Sequence, residues 1–206
     1  MTGVNVTIEG LDGVFAGADA KMARYAAMAL NRVAKSARAD MAREVRRQVN
    51  LPASYVSPAG GRLVAVPSAT PTHLQSAVRA RSRPTSLARY VTSSRRGKGG
   101  GVNVQVAPGR VKFMRGAFLM KLRQGTVLTD TKHNLGLAIR LRPGQPIRNK
   151  KFFKAIGGGL ALLYGPSVQQ AIIANAGTGI AKDMSEKFLR DLEREFSRLV
   201  SVKGIL

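Results

Sequence analysis

From Asp19 to Val49 the chain runs without a glycine or a proline. Its apolar residues there fall at helical spacing: Met22, Tyr25, Ala26, Ala29, Leu30, Val33, Ala37, Met41, Val45 and Val49. Lys21, Arg24, Arg32, Lys35, Arg38, Arg43 and Arg46 lie largely between them, so the spacing predicts one long amphipathic helix. Pro52 ends it, because proline disfavours helical backbone at the preceding residue, Leu51. A helix of this length with so many alanines on its buried stripe must lie close against a sheet or another helix.

Beyond Pro52 the pattern changes. Residues 52–73 are rich in proline, serine and glycine and read as an extended loop. Period-two alternation then predicts strands over 74–81, 87–93, 102–106, 111–114, 118–122 and 135–141, preceded near the N-terminus by one at Val4, Val6 and Ile8. Pro166 and Ser167 signal a helix start, Gly177 and Gly179 interrupt it, and a second run places Ile180, Met184, Phe188, Leu192, Phe196 and Leu199 on one helical face. The pattern predicts an α+β fold, with a long N-terminal helix and a C-terminal helix packed on a mostly antiparallel sheet. Over 1–206 it reads as a single domain with extended or flexible loops at 52–73 and 94–101. The longest near-apolar run, 155–164, is interrupted by Gly157, Gly158 and Gly159 and is too short to span a bilayer. No signal peptide and no membrane partner are expected.

Charge is distributed unevenly. The net is +23, yet residues 1–44 and 183–206 are nearly neutral, while 45–182 hold 23 basic residues against the single acid Asp130. Such a field favours a polyanionic partner: nucleic acid, anionic lipid or an acidic protein surface. The absence of cysteine removes disulfides and thiolate metal sites and fits a reducing compartment.

Catalytic chemistry has little to work with. His73 sits in the proline-rich segment, and Asp130 and His133 read as an exposed turn with no third ligand near in sequence. No paired carboxylates and no Gly-x-Ser-x-Gly elbow occur, so no enzyme activity, cofactor or metal is expected. The stretch Arg95-Arg96-Gly97-Lys98-Gly99-Gly100-Gly101 suggests a phosphate loop, but a P-loop needs Ser or Thr after Gly-Lys and a helix beyond it. Here Gly99 follows Lys98, and Val102-Asn103-Val104-Gln105-Val106 reads as a strand. What remains is a basic interstrand loop facing a partner or DNA, comprising Arg95, Arg96, Lys98, Arg110 and Lys112. A basic sheet face is expected at Arg115, Lys121 and Arg123. Without clustered aromatics, contact with DNA is expected to be to the backbone rather than to bases.

Three stretches add a resemblance: Ala29-Leu30-Asn31-Arg32-Val33-Ala34-Lys35, Arg115-Gly116-Ala117-Phe118-Leu119 and Leu163-Tyr164-Gly165-Pro166-Ser167-Val168. Their order and spacing over roughly 20–200 resemble the phage and prophage minor tail protein Z family, a tail-completion group akin to the neck proteins of long-tailed bacteriophages. The resemblance implies a structural virion protein, assembled in the host cytoplasm, that completes the head-proximal end of the tail and contributes to the head-tail connector. It implies a homo-oligomeric ring, often six-fold in proteins of this kind, around the DNA channel. The neighbours would be tail terminator, tail tube or connector proteins. It also implies structural roles for Gly116, Ala117, Phe118, Tyr164, Gly165, Pro166 and Ser167. The alternative left open by charge alone is a non-virion nucleic-acid-binding protein.

Overall fold

The computed structural model describes residues 5–7, 20–95, 97, 99–122, 134–142, 152–176 and 180–202. Among them are three α-helices, α1 (Ala20–Gln48), α2 (Val168–Ala176) and α3 (Ile180–Val202). Eleven short strands accompany them, and every strand pairing is antiparallel, so the protein is α+β. Where the sequence reads as one domain, the contacts gather into two compact units. The first comprises Met1–Val45, Pro52–Ser82 and Val168–Leu206, the second Arg46–Leu51 and Arg83–Ser167.

The first unit contains most of α1, all of α2 and α3, and a sheet ordered β1 (Asn5–Thr7), β3 (Ala77–Ala80), β2 (Leu63–Ala65). Ala26, Ala27 and Leu30 of α1 form a core with Ala69 and Leu74, against which Leu192 and Phe196 of α3 pack. The alanines leave no side-chain bulk to hold the neighbouring backbone away. Asn31 secures it: its Nδ2 donates to the Ala69 carbonyl at 2.9 Å, and its Oδ1 accepts from the Ala69 N–H at 2.8 Å. Ion pairs follow the same route at the surface, Arg32 to Glu195 at 3.0 Å and Lys187 to Asp40. Each such exposed pair contributes about 1 kcal/mol or less.

Residues 52–73 depart from the expected extended loop. They form two short 3-10 turns, Ala53–Tyr55 and Pro58–Gly60, then β2, and they bury Tyr55, Val56, Leu63 and Ala69. The Arg62 guanidinium lies 4.1 Å over the Tyr55 ring, which explains how an arginine is buried here. Proline and glycine shape tight turns in this segment, and its scattered apolar residues reach the core from between them.

Among its described residues, the regular elements of the second unit are strands apart from the end of α1 and one 3-10 turn, Leu87–Tyr90. Its larger sheet runs β10 (Phe153–Gly157), β11 (Leu160–Gly165), β9 (Leu135–Arg140), β8 (Phe118–Lys121), with β4 (Thr85–Ser86) added to the end of β11. Leu122, Ala138 and Leu162 form a core with Phe118, Met120, Ile156 and Tyr164. Leu137, Ala161 and Leu163, which alternate with these along β9 and β11, are buried as well. Both faces of the central strands are therefore covered. The turn between β10 and β11 uses Gly157, Gly158 and Gly159, all at positive φ, a geometry side chains resist. Residues 94–101 are shorter as a loop than expected, since Ser94 and Arg95 end one strand and Gly101 begins the next.

Candidate polyanion-binding surface

The second sheet of this unit has three strands, in the order β5 (Val91–Arg95), β6 (Gly101–Val104), β7 (Lys112–Arg115). The sequence Val102-Asn103-Val104 sets its two faces, because alternate side chains on a strand point opposite ways. Val102 and Val104 are buried, and Asn103 turns the other way. Register then assembles two rows on Asn103's face: Ser93–Asn103–Phe113 and Arg95–Gly101–Arg115.

Glycine at 101 makes this face possible. A Cβ there would lie 2.5 Å from the Met114 carbonyl oxygen and 2.7 Å from Cζ of Phe113, so the aromatic ring occupies the place a side chain would take. Phe113 nevertheless stays 48% exposed. Asn103 Nδ2 donates to Ser93 Oγ at 2.9 Å, bracing the neighbouring row. A half-open recess of about 380 Å³ is lined by Ser93, Arg95, Gly101, Asn103 and Phe113. A second, of about 360 Å³, lies along Gly97, Gly100 and Gly116 beside Arg95 and Phe118. The Gly116 N–H donates to the Gly100 carbonyl at 2.9 Å, which joins the glycine-rich turn to the β7–β8 connection.

Charge separates by unit. The second unit holds 19 basic residues and one acid, Asp130, a net of +18; the first holds 15 basic residues and 10 acids, a net of +5. Asp130 lies outside the described residues, so Arg95 and Arg115 face no described carboxylate of their own unit. In the first unit Asp40, Asp191 and Glu195 are each engaged in an ion pair.

The structure distributes the sequence-predicted basic residues unevenly. Arg95 and Arg115 share a row, but Lys112 pairs with Val104 at the other end of the sheet and on the opposite face. Arg110 lies in the β6–β7 turn, its N–H bonded to Ala107. Lys121 belongs to β8 of the larger sheet, so Arg115 and Lys121 do not share one sheet. Arg96, Lys98 and Arg123 lie outside the described residues. Phe113, Gly101, Ser93 and Asn103 were missed as surface partners; the alternation through Asn103 was the signal that could have found them.

The stretches that carried the family resemblance are packing joints. Ala29, Leu30, Val33 and Ala34 are buried around the Asn31 clamp. Ala117 is buried, and the Phe118 ring sits 5.8 Å beneath the Arg140 guanidinium. A Cβ at Gly165 would lie 3.0 Å from the Tyr90 ring and 3.1 Å from Leu87, and Ser167 is buried where Pro166 leads into α2. Burial raises the pKa of the Tyr164 phenol, and nearby Arg83 partly opposes the shift.

For catalysis, no group of three or more His, Asp or Glu side chains among the described residues could hold a metal ion. His73 Nε2 is 2.9 Å from Gln75 Oε1 on an exposed turn. Asp130 and His133 lie outside the described residues. No described helix is long and apolar enough to cross a membrane. The fold and surface together define an α+β protein with a cationic, partly open β-sheet. No family model, curated protein or solved structure matches the chain.

Proposed function

We propose that the chain is a non-catalytic structural protein of a phage virion, completing the head-proximal end of the tail and contributing to the neck as a ring around the DNA channel. The observation that carries this reading is the separation of charge: a first unit of +5 in which acids pair with cations of the same unit, and a second unit of +18. A subunit that meets acidic neighbours or DNA on one part of its surface benefits from that arrangement, because a cationic unit repels copies of itself until a polyanion neutralises it. The resemblance of three stretches to the tail-completion family adds support.

Purified protein imaged by negative stain, alone and mixed with tails lacking their head-proximal cap, tests the reading. Rings, or density at one end of the tails, are the expected result. A stable monomer with no affinity for tails and tight, salt-sensitive nucleic-acid binding would replace it with the non-virion nucleic-acid binder.

A further inference from the structure

The open face of β5–β6–β7 carries an aromatic ring over Gly101, whose register partners on either side are Arg95 and Arg115, and core packing does not account for it. A phenylalanine serving only the core is covered, whereas Phe113 is 48% exposed. Its ring leans over Gly101, against the Arg95–Gly101–Arg115 row. Arg95 and Arg115 pair with Gly101 from opposite sides, so two strand spacings, about 10 Å, separate their backbones.

We infer that this face binds single-stranded nucleic acid. An unpaired base stacks on the exposed side of Phe113, and the phosphates flanking that nucleotide meet Arg95 and Arg115. Asn103 and Ser93, in the row of Phe113, present polar groups to the edge of the base. Every base offers a π-face, so the contact carries little sequence preference.

Competing occupants fit less well. The ring's companions in its row are serine and asparagine, so the recess they line with Phe113 suits a flat base with polar edges better than an aliphatic side chain of a protein partner. A second copy presenting the same face would set arginine against arginine. Duplex DNA presents phosphates but keeps its bases stacked inside, out of reach of Phe113. The inference rests on reading the second unit as the polyanion-facing part of the chain and does not need the tail role.

Fluorescence anisotropy on the full chain tests it, with a labelled oligodeoxythymidylate of about 20 nucleotides, a duplex of the same length, and polyglutamate as competitor. Wild type is expected to prefer the single strand. Phe113→Ala and Phe113→Leu should each lower single-strand affinity about 5- to 150-fold, the range of one base stack, and leave duplex affinity unchanged. The leucine variant keeps bulk over Gly101, which guards against a loss caused by sheet distortion. Replacing Arg95 and Arg115 together by serine should reduce the slope of log affinity against log salt by about 1.4, two phosphate contacts on a single strand. Equal affinity for both nucleic acids with no effect at Phe113 would overturn stacking and leave a backbone-binding surface. Displacement by polyglutamate that depends on Phe113 would reassign the face to an acidic protein. If none of the three polyanions binds, the reading of the second unit as polyanion-facing falls as well.

Discussion

The two units handle charge in opposite ways. In the first, cations and anions sit on facing helices and neutralise each other, as Arg32 does with Glu195 and Lys187 with Asp40. In the second, cations such as Arg95, Lys112 and Arg115 stand on strands, and the unit's one acid is Asp130. Surface pairs of the first kind add little stability individually, so their value lies in lowering the field around that unit, whose net is +5 against +18. The second unit keeps its field. The difference teaches where to look for partners: a residue that is buried or paired serves folding, and a cation with no described counter-charge beside an exposed ring is available to a partner.

Substitutions can break that division, beginning with the largest expected effect. Leu30→Ala removes a side chain that is 0% exposed in the first unit's core, and should cost about 2–5 kcal/mol in urea unfolding. Gly101→Ala, at the start of β6, drives a Cβ to 2.5 Å from the Met114 carbonyl oxygen. Its expected cost is about 1–3 kcal/mol by overpacking, read as a lowered melting temperature together with lost binding. A neutral result there would mean that the ring of Phe113 does not occupy the glycine's space. Asn31→Ala leaves both the N–H and the carbonyl of Ala69 without their partner and should cost about 1–3 kcal/mol.

Smaller effects sharpen the contrast. Replacing Arg95, Arg96 and Lys98 together by serine should leave unfolding within about 0.5 kcal/mol of wild type while weakening polyanion binding, most strongly at low salt. Unfolding of that variant under native conditions would assign those cations to the fold. The smallest expected effect is at Tyr164. Its phenol pKa is raised in the folded state, so folding favours the protonated form. That contribution is complete below the unfolded pKa of about 10 and is lost as pH rises through the folded value. Tyr164→Phe should therefore flatten the alkaline end of the stability–pH curve, measured by urea titration above pH of about 10.

Much of the fold was legible because periodicity survives wherever one face is buried and the other is wet. The stripe from Met22 to Val45 became α1, and Val102-Asn103-Val104 became β6. The hairpin of β10 and β11 escaped notice for the converse reason: Ala161, Leu162 and Leu163 are all buried, so β11 shows no alternation and reads only as an apolar run. Strand β2 was hidden within a proline-rich segment because three residues carry too little pattern. The strand expected over 87–93 begins as a 3-10 turn, where Ser86 Oγ accepts from the Ala88 N–H and Tyr90 is buried, and only then extends into β5.

By itself the sequence determined the helices, the antiparallel α+β character, the excess of cations and the failure of the glycine-rich stretch as a phosphate loop. Each of these depends on residue type and local spacing. Only the tertiary structure decided which cations stand together. Strand register set Arg95 beside Arg115 across Gly101, sent Lys112 to the other face and placed Lys121 in another sheet. A shift of one residue in pairing turns every side chain of a strand over, and that choice is made by contacts between segments distant in the chain. Local spacing carries no record of it.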